Sequence, residues 1–358
     1  MKSLICKCLL LLALGLPAFA QAASVVFINP GRTNESFWTS YTAFMQAAAR
    51  DLGMSLDVRY AERDPQRALA LARQVLAEPR QPDFLVFVNE SYIGPELLRL
   101  FADSPVKLFA VNSTLTPDQQ RIAGTSRGRH RNWIGSLVAD EEQGGYLMAS
   151  ALLQRFRQER HIDLIALSGV RQTPAVQFRE QGLRRALADY PQAHLLQVVD
   201  AGWSRDRAYE QARQLLERHP QTRAVWAASD DIAFGAMQAA AELGRTPGQD
   251  LLFSGINNSP AFLEAIKDGR ISAGVAGHFT LGAWALVLLH DYAAGVDFAE
   301  HGGKDRQVPL FALLDSRSAG NLQRNLQKPG FGLDFRRYSL ALNPQLKQYA
   351  FSLQPLLQ

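Results

Sequence analysis

The side chains in this sequence that could do chemistry are mostly amides, hydroxyls and aromatics, and they recur at one kind of place, directly after an apolar run. Asn34 to Trp38 follow the first such run. Asn89 and Glu90, Asn112 and Ser113, Gly169 to Gln177, Ser229 and Asp230, Asn257 and Asn258, and Gly277 and His278 follow later ones. Polar, neutral groups of this kind suit a polyhydroxylated or otherwise uncharged ligand better than a highly charged one. Reaction chemistry has weaker support. The histidines His130, His161, His194, His219, His278, His290 and His301 are scattered, with no paired ligand spacing for zinc. No G-x-S-x-G elbow, P-loop or G-x-G-x-x-G follows a strand. Asp230 and Asp231 could do acid–base work, but adjacent positions at a helix start point in different directions, so Asp230 is expected to cap the helix. No catalytic residue, metal or cofactor is expected, and the chain reads as a non-enzyme.

The elements that must position these residues alternate. Strands are expected at Ser24 to Asn29, Ser55 to Tyr60, Asp83 to Asn89 and Val106 to Asn112, with helices at Phe37 to Gly53, Pro65 to Ala77 and Gly94 to Phe101. The rhythm then restarts. Helices are expected at Asp140 to Phe156, Pro174 to Asp189, Arg205 to His219, Asp231 to Leu243 and Ser259 to Asp268. Strands are expected at Ile162 to Ser168, Ala193 to Asp200, Ala224 to Ala228, Leu251 to Ile256 and Ile271 to Ala276. An apolar helix, Thr280 to Ala294, and an irregular C-terminal portion with a break at Pro329 to Gly332 complete the chain. Strands apolar at every position, separated by helices, imply parallel sheets covered on both faces. Ligands of such sheets bind beyond the carboxyl ends of the strands, so two lobes would enclose a cleft there.

The chain has 358 residues, 47% hydrophobic and 20% charged, which suits a globular protein of about two domains at ~100 to 200 residues each. Residues 1 to 22 read as a secretory signal peptide. Lys2 and Lys7 precede a short apolar core, then Pro17 and small residues, with cleavage expected after Ala20 or Ala22. The apolar core is shorter than the ~20 residues a bilayer-spanning helix needs. Both cysteines, Cys6 and Cys8, lie in this segment, so the exported body would hold no disulfide, thiolate metal site or cysteine nucleophile. Removing Lys2 and Lys7 from 38 basic residues leaves 36 against 34 acidic ones, a net charge of +2. Such a body is no nucleic-acid binder by charge. The densest basic run, Thr125 to Asn132, lacks an aromatic platform and is expected to be a solvated loop between lobes.

Several patches together resemble the type I periplasmic binding proteins, especially the ribose and galactose branch. They are the start Asn34 to Trp38, the crossover segment Ile134 to Gly145, the Arg-x-x-Gly helix Phe178 to Ala186, Ala224 to Gly235, Leu252 to Gly255 with Asn257, and the turn Ala265 to Ile271. The resemblance runs over about residues 24 to 300. It implies two doubly wound parallel-sheet lobes joined by a three-crossing hinge. The crossings would lie near Asn112 to Val138, Asn257 to His278 and Gly303 to Leu314. The first lobe would be residues 24–135 plus about 279–305, the second 136–278 plus about 306–330, and 331–358 an extension. Phe37 and Trp38 resemble aromatics that stack on a sugar ring, although a place in the helix core is an equal reading. Asn34, Asn89, Asn112, Gln177, Arg179, Ser229, Asn257 and His278 complete the expected ligand set. Asn112 and Asn257 stand where the family often has Asp, and Gln177 where it has Arg. These departures predict a charge-poor site and point away from ribose, galactose or glucose.

By the same resemblance the protein is expected in the periplasm, capturing a small polar ligand for an inner-membrane ABC permease. The extension, including Asp334 to Leu340, is also faintly similar to periplasmic autoinducer receptors. The alternative is therefore a sensor that docks on a membrane histidine kinase, chemoreceptor or diguanylate cyclase. Sugar-responsive repressors of related fold need an N-terminal helix-turn-helix, and a signal peptide stands in its place.

Overall fold

A computed structural model describes residues 22–358; the expected signal peptide lies almost wholly outside the described residues. The first sheet has the order β11-β5-β4-β3-β1-β2, all parallel. Its strands are β1 (Ser24–Asn29), β2 (Ser55–Tyr60), β3 (Phe84–Phe87), β4 (Lys107–Val111), β5 (Trp133–Ala139) and β11 (Asp305–Val308). Helices α1 (Ser36–Asp51), α2 (Pro65–Ala77), α3 (Gly94–Leu100), α4 (Pro117–Ala123) and α10 (Leu281–Ala293) belong to this lobe. The run of alanine and aromatic residues in α1 packs on α10, whose near-total burial explains why it shows no polar face.

The second sheet has the order β12-β10-β9-β8-β6-β7. Its strands are β6 (Ile162–Ser168), β7 (Ala193–Asp200), β8 (Ala224–Ala227), β9 (Leu252–Ile256), β10 (Ala273–Ala276) and β12 (Ala312–Leu314). β12 runs antiparallel to β10, so this sheet is not wholly parallel as expected. Its helices are α5 (Glu141–Gln154), α6 (Pro174–Asp189), α7 (Arg205–Arg218), α8 (Asp230–Glu242), α9 (Pro260–Lys267) and α11 (Ser316–Leu326). Close approach of α5 and α6 requires glycine at two places. A Cβ on Gly145 would collide with the Arg179 carbonyl, and one on Gly182 with the Glu142 carbonyl. That approach sets Arg179 beside Glu141. Among the described residues no helix is long and apolar enough to cross a membrane.

The chain changes lobe between β5 and α5, between β10 and α10, and between β11 and β12. The expected boundary at residue 135 is moved to Ala139, because all of β5 completes the first sheet. The boundary near 305 moves past β11 for the same reason. The basic run near Arg127 is not an interlobe loop. It enters β5 from the amino end, where Arg127 donates to Asp297 at 2.5 and 2.8 Å. The C-terminal portion is not irregular either, since α11 forms in it, with Asp315 and Ser318 closing a capping box.

Two further passages follow. From the break at Pro329 to Gly332 onward, residues of the extension cross to the first lobe. Phe331 stacks on Phe44 at 3.9 Å, and Phe351 stacks on Trp284 at 5.2 Å. Asp291, fully buried, accepts from the Leu340 amide at 2.6 Å, from the Tyr349 hydroxyl at 3.0 Å and from Ser339. The chain then returns to the second lobe, where Asn321 and Asn325 of α11 donate to the carbonyls of Leu357 and Leu356. Asp291→Ala strips three donors of their acceptor. Each buried donor left unmet costs about 1–3 kcal/mol, so the expected result is early proteolytic release of residues beyond Leu333 while the body stays resistant. Simultaneous digestion of tail and body would show that the strap is not a separable unit.

Candidate ligand-binding cleft

The carboxyl ends of both sheets face each other across a cleft of about 510 Å³, its mouth included. From the first lobe, the start of α1 supplies Glu35, Phe37 and Trp38, the turn after β2 supplies Arg63, and the ends of β3 and β4 supply Glu90 and Asn112. Asn112 has φ +63, a left-handed conformation that Asn tolerates better than most residues. The opposite wall offers Thr173 and Arg179 around α6, Trp203 after β7, Ser229 and Asp231 at the start of α8, and Asn257 after β9. His278, on the second crossing, lies between them and stacks on Phe37 at 4.5 Å.

Each lobe presents an arginine against an indole with carboxylate behind it. Arg63 donates from Nε to Glu35 at 3.0 Å, and its other nitrogens reach Glu35 and Glu90; its carbon lies 6.0 Å from the Trp38 ring. Burial alone would lower the Arg63 pKa, but the two carboxylates more than reverse that, so it stays charged. Opposite, Arg179 Nε donates to Glu141 at 2.5 Å and Nη1 to the Ala228 carbonyl at 2.8 Å, and its carbon lies 5.8 Å from the Trp203 ring. A guanidinium has five N–H donors, so both arginines keep donors in reserve. Burial pushes the Glu141 carboxyl up in spite of Arg179.

Asp231 lacks such an arginine partner, and burial, then Asp230, then Glu35 across the cleft raise its carboxyl from 3.8 to about 6. The folded protein therefore holds this proton more tightly than the unfolded chain does, and ionisation between pH 3.8 and 6 costs stability. Asp231→Asn is expected to stabilise the protein at pH 7.5 by on the order of 1–3 kcal/mol. Denaturation curves should show the advantage fading as pH falls towards 4; a constant advantage would contradict this origin. Burial lowers the His278 imidazole well below its ordinary value, so it stays neutral.

Polar atoms left without a partner gather here. Trp38 Nε1, Asn112 Oδ1, Thr173 Oγ1, Trp203 Nε1 and His278 Nδ1 are all buried, unbonded and on the cleft wall. Two are obligate donors and one an acceptor, set beside aromatic faces. Groups left so are costly in a folded protein unless they serve a ligand or water.

Of the expected site residues, Phe37, Trp38, Asn112, Arg179, Ser229, Asn257 and His278 line this cleft. Three do not. Asn34 is exposed on the turn before α1, whose N-cap is Glu35. Asn89 is fully buried off the cleft wall and spends its amide on the Thr114 carbonyl, Gln119 and the Gly94 amide. Gln177 sits at the rim and donates to the Tyr92 hydroxyl at 2.6 Å, bridging the lobes as Asn258 does to Ser40 at 2.6 Å. Asp230 is not the cap of α8: Ser229 is, accepting from the Ile232 amide, while Asp230 accepts from Asn257 at 2.6 Å. Nor is the site charge-poor. Glu35, Arg63, Glu90, Arg179 and Asp231 all line it, which removes the ground for setting aside ribose, galactose or glucose. Arg63 and Trp203 follow β2 and β7, so the rule of reading beyond each strand end would have found them there.

Residues 25–297 match the family model described as periplasmic binding protein domain. The ribose import binding protein of Salmonella typhimurium is 22% identical over 259 residues, 72% of this chain and 81% of that protein. The D-allose-binding periplasmic protein of Escherichia coli is 24% identical over 311 residues, 85% of this chain and 94% of that protein. Among solved structures, a periplasmic sugar-binding protein from Pseudomonas fluorescens is 51% identical with a TM-score of 0.87, covering 94% of this chain and all of that one. A galactofuranose binding protein, 18% identical with a TM-score of 0.74, shares the fold.

Proposed function

The chain belongs to the periplasmic binding protein family, and from that premise we propose that it captures a sugar in the periplasm and delivers it to an inner-membrane ABC permease. The observation that carries this reading is the cluster of buried, unpartnered donors and acceptors set against aromatic faces in one cleft. A pyranose or furanose ring has apolar C–H faces for Phe37, Trp38 and Trp203. Its hydroxyls can give and take hydrogen bonds with the indole N–H groups, the spare arginine donors and the carboxylates. Closure of the lobes by hinge motion would bury those bonds and strengthen them. The relatives with printed roles are import and sugar-binding proteins. The extension that suggested a sensor packs against α1, α10 and α11.

Calorimetry against pentoses and hexoses tests the proposal. Binding without product is expected, with melting raised as ligand in 100-fold excess over Kd adds about 2.7 kcal/mol. Turnover of a sugar would replace the receptor reading with an enzymatic one. Trp38 is only 2% exposed, so Ala there would also damage the core. Trp38→Phe keeps a ring and deletes the N–H; affinity is expected to fall about tenfold, with a smaller loss of stability than Ala would cause. Unchanged affinity would remove the indole N–H from the site.

A further inference from the structure

A second cavity adjoins the cleft, and it has the composition of a sugar subsite. It shares Asn112 and Ala175 with the cleft wall and encloses about 770 Å³, open space included, beside the crossing from β5 to α5. One side is apolar. Leu115, Val138 and Phe178 line it, and Phe178 is 42% exposed although it is a large aromatic on α6. The rest of the lining includes hydroxyls and carboxylate. Ser113 Oγ and Thr114 Oγ1 are buried without partners, and Glu141, 3% exposed, keeps Oε1 unbonded while Oε2 holds Arg179. As in the first site, an aromatic ring and unmet polar atoms line one cavity.

We infer that the ligand has two rings, a disaccharide whose first ring occupies the cleft and whose second lies against Phe178 in the adjoining cavity. This rests on the sugar reading of the cleft. The shared residues Asn112 and Ala175 mark where the glycosidic link would pass. Phe178 then covers a C–H face, while the hydroxyls of Ser113 and Thr114 and the free oxygen of Glu141 meet hydroxyls of the second ring.

Calorimetry on the exported protein with ribose, glucose and galactose, set beside maltose, cellobiose, lactose and melibiose, tests this. At least one disaccharide should bind tenfold or more tightly than either component monosaccharide. Phe178→Ala removes the platform and Val138→Phe fills the cavity. Each should weaken the disaccharide by tenfold or more and shift any monosaccharide less than twofold. A monosaccharide that binds as tightly as every disaccharide, with both variants unchanged, overturns the second subsite and leaves the sugar cleft standing. If neither class binds, the sugar reading of the cleft fails and this inference falls with it.

Discussion

Arg179→Met is expected to lower the unfolding free energy by about 3–5 kcal/mol, the usual cost of stranding one member of a buried ion pair. Arg179 and Glu141 are 4% and 3% exposed and meet at 2.5 Å, so the variant leaves Glu141 buried with no counter-charge. Burial already raises the Glu141 carboxyl, and loss of the guanidinium raises it further. The deficit should therefore shrink as pH falls and the carboxyl takes up a proton. Arg179→Met with Glu141→Leu replaces the pair by apolar groups and should recover most of the loss. Urea denaturation of the single and double variants at pH 5 and 8 decides it. A single variant within about 1 kcal/mol of the parent at pH 8 would show that water reaches Glu141.

Arg63→Met is expected to weaken ligand binding by at least about 100-fold, or roughly 3 kcal/mol, since hydrogen bonds to charged groups contribute about 1.5–3 kcal/mol each. The side chain has two jobs. It offers its remaining N–H donors to the cleft, and it holds Glu35 and Glu90 together on the wall. With the guanidinium gone, these carboxylates repel each other and Asp231 faces them across the cleft. Arg63→Lys keeps the charge but not the planar fork, so an intermediate loss is expected, and it separates orientation from charge. Affinity within threefold of the parent in a folded Arg63→Met protein would place Arg63 outside the ligand's reach.

Much of this protein follows from local order in the chain. The spans of β1, β2, β6, β7, α2 and α6 can be read to the residue from apolar runs, prolines at helix starts and polar breaks, because those signals are set by near neighbours. The place of the cleft also follows, since parallel strands bring their carboxyl ends to one edge. That is how Phe37, Asn112, Ser229 and Asn257 could be named as cleft residues, while Arg179 is named only by the family resemblance. Which atoms remain available there is a different matter. Asn89 and Asn112 stand alike at strand ends, yet Asn89 is consumed by loops near Thr114 and Gly94, which only folding brings beside it. Asp230 and Asp231 are neighbours, yet one is tied to Asn257 and the other faces Glu35 from the far lobe.

Sequence alone therefore determined the alternation of elements, the two sheets and the family resemblance, all of which depend on periodicity and short-range chemistry. Tertiary structure decided the charge of the cleft, because Arg63, Glu35 and Glu90 are separated by up to 55 positions and meet only when β1, β2 and β3 align. It also decided the fate of the extension, whose aromatics find Phe44 across 287 positions and Trp284 across 67. Contacts at such separation leave no mark on local pattern. They are set by where the sheets place their edges.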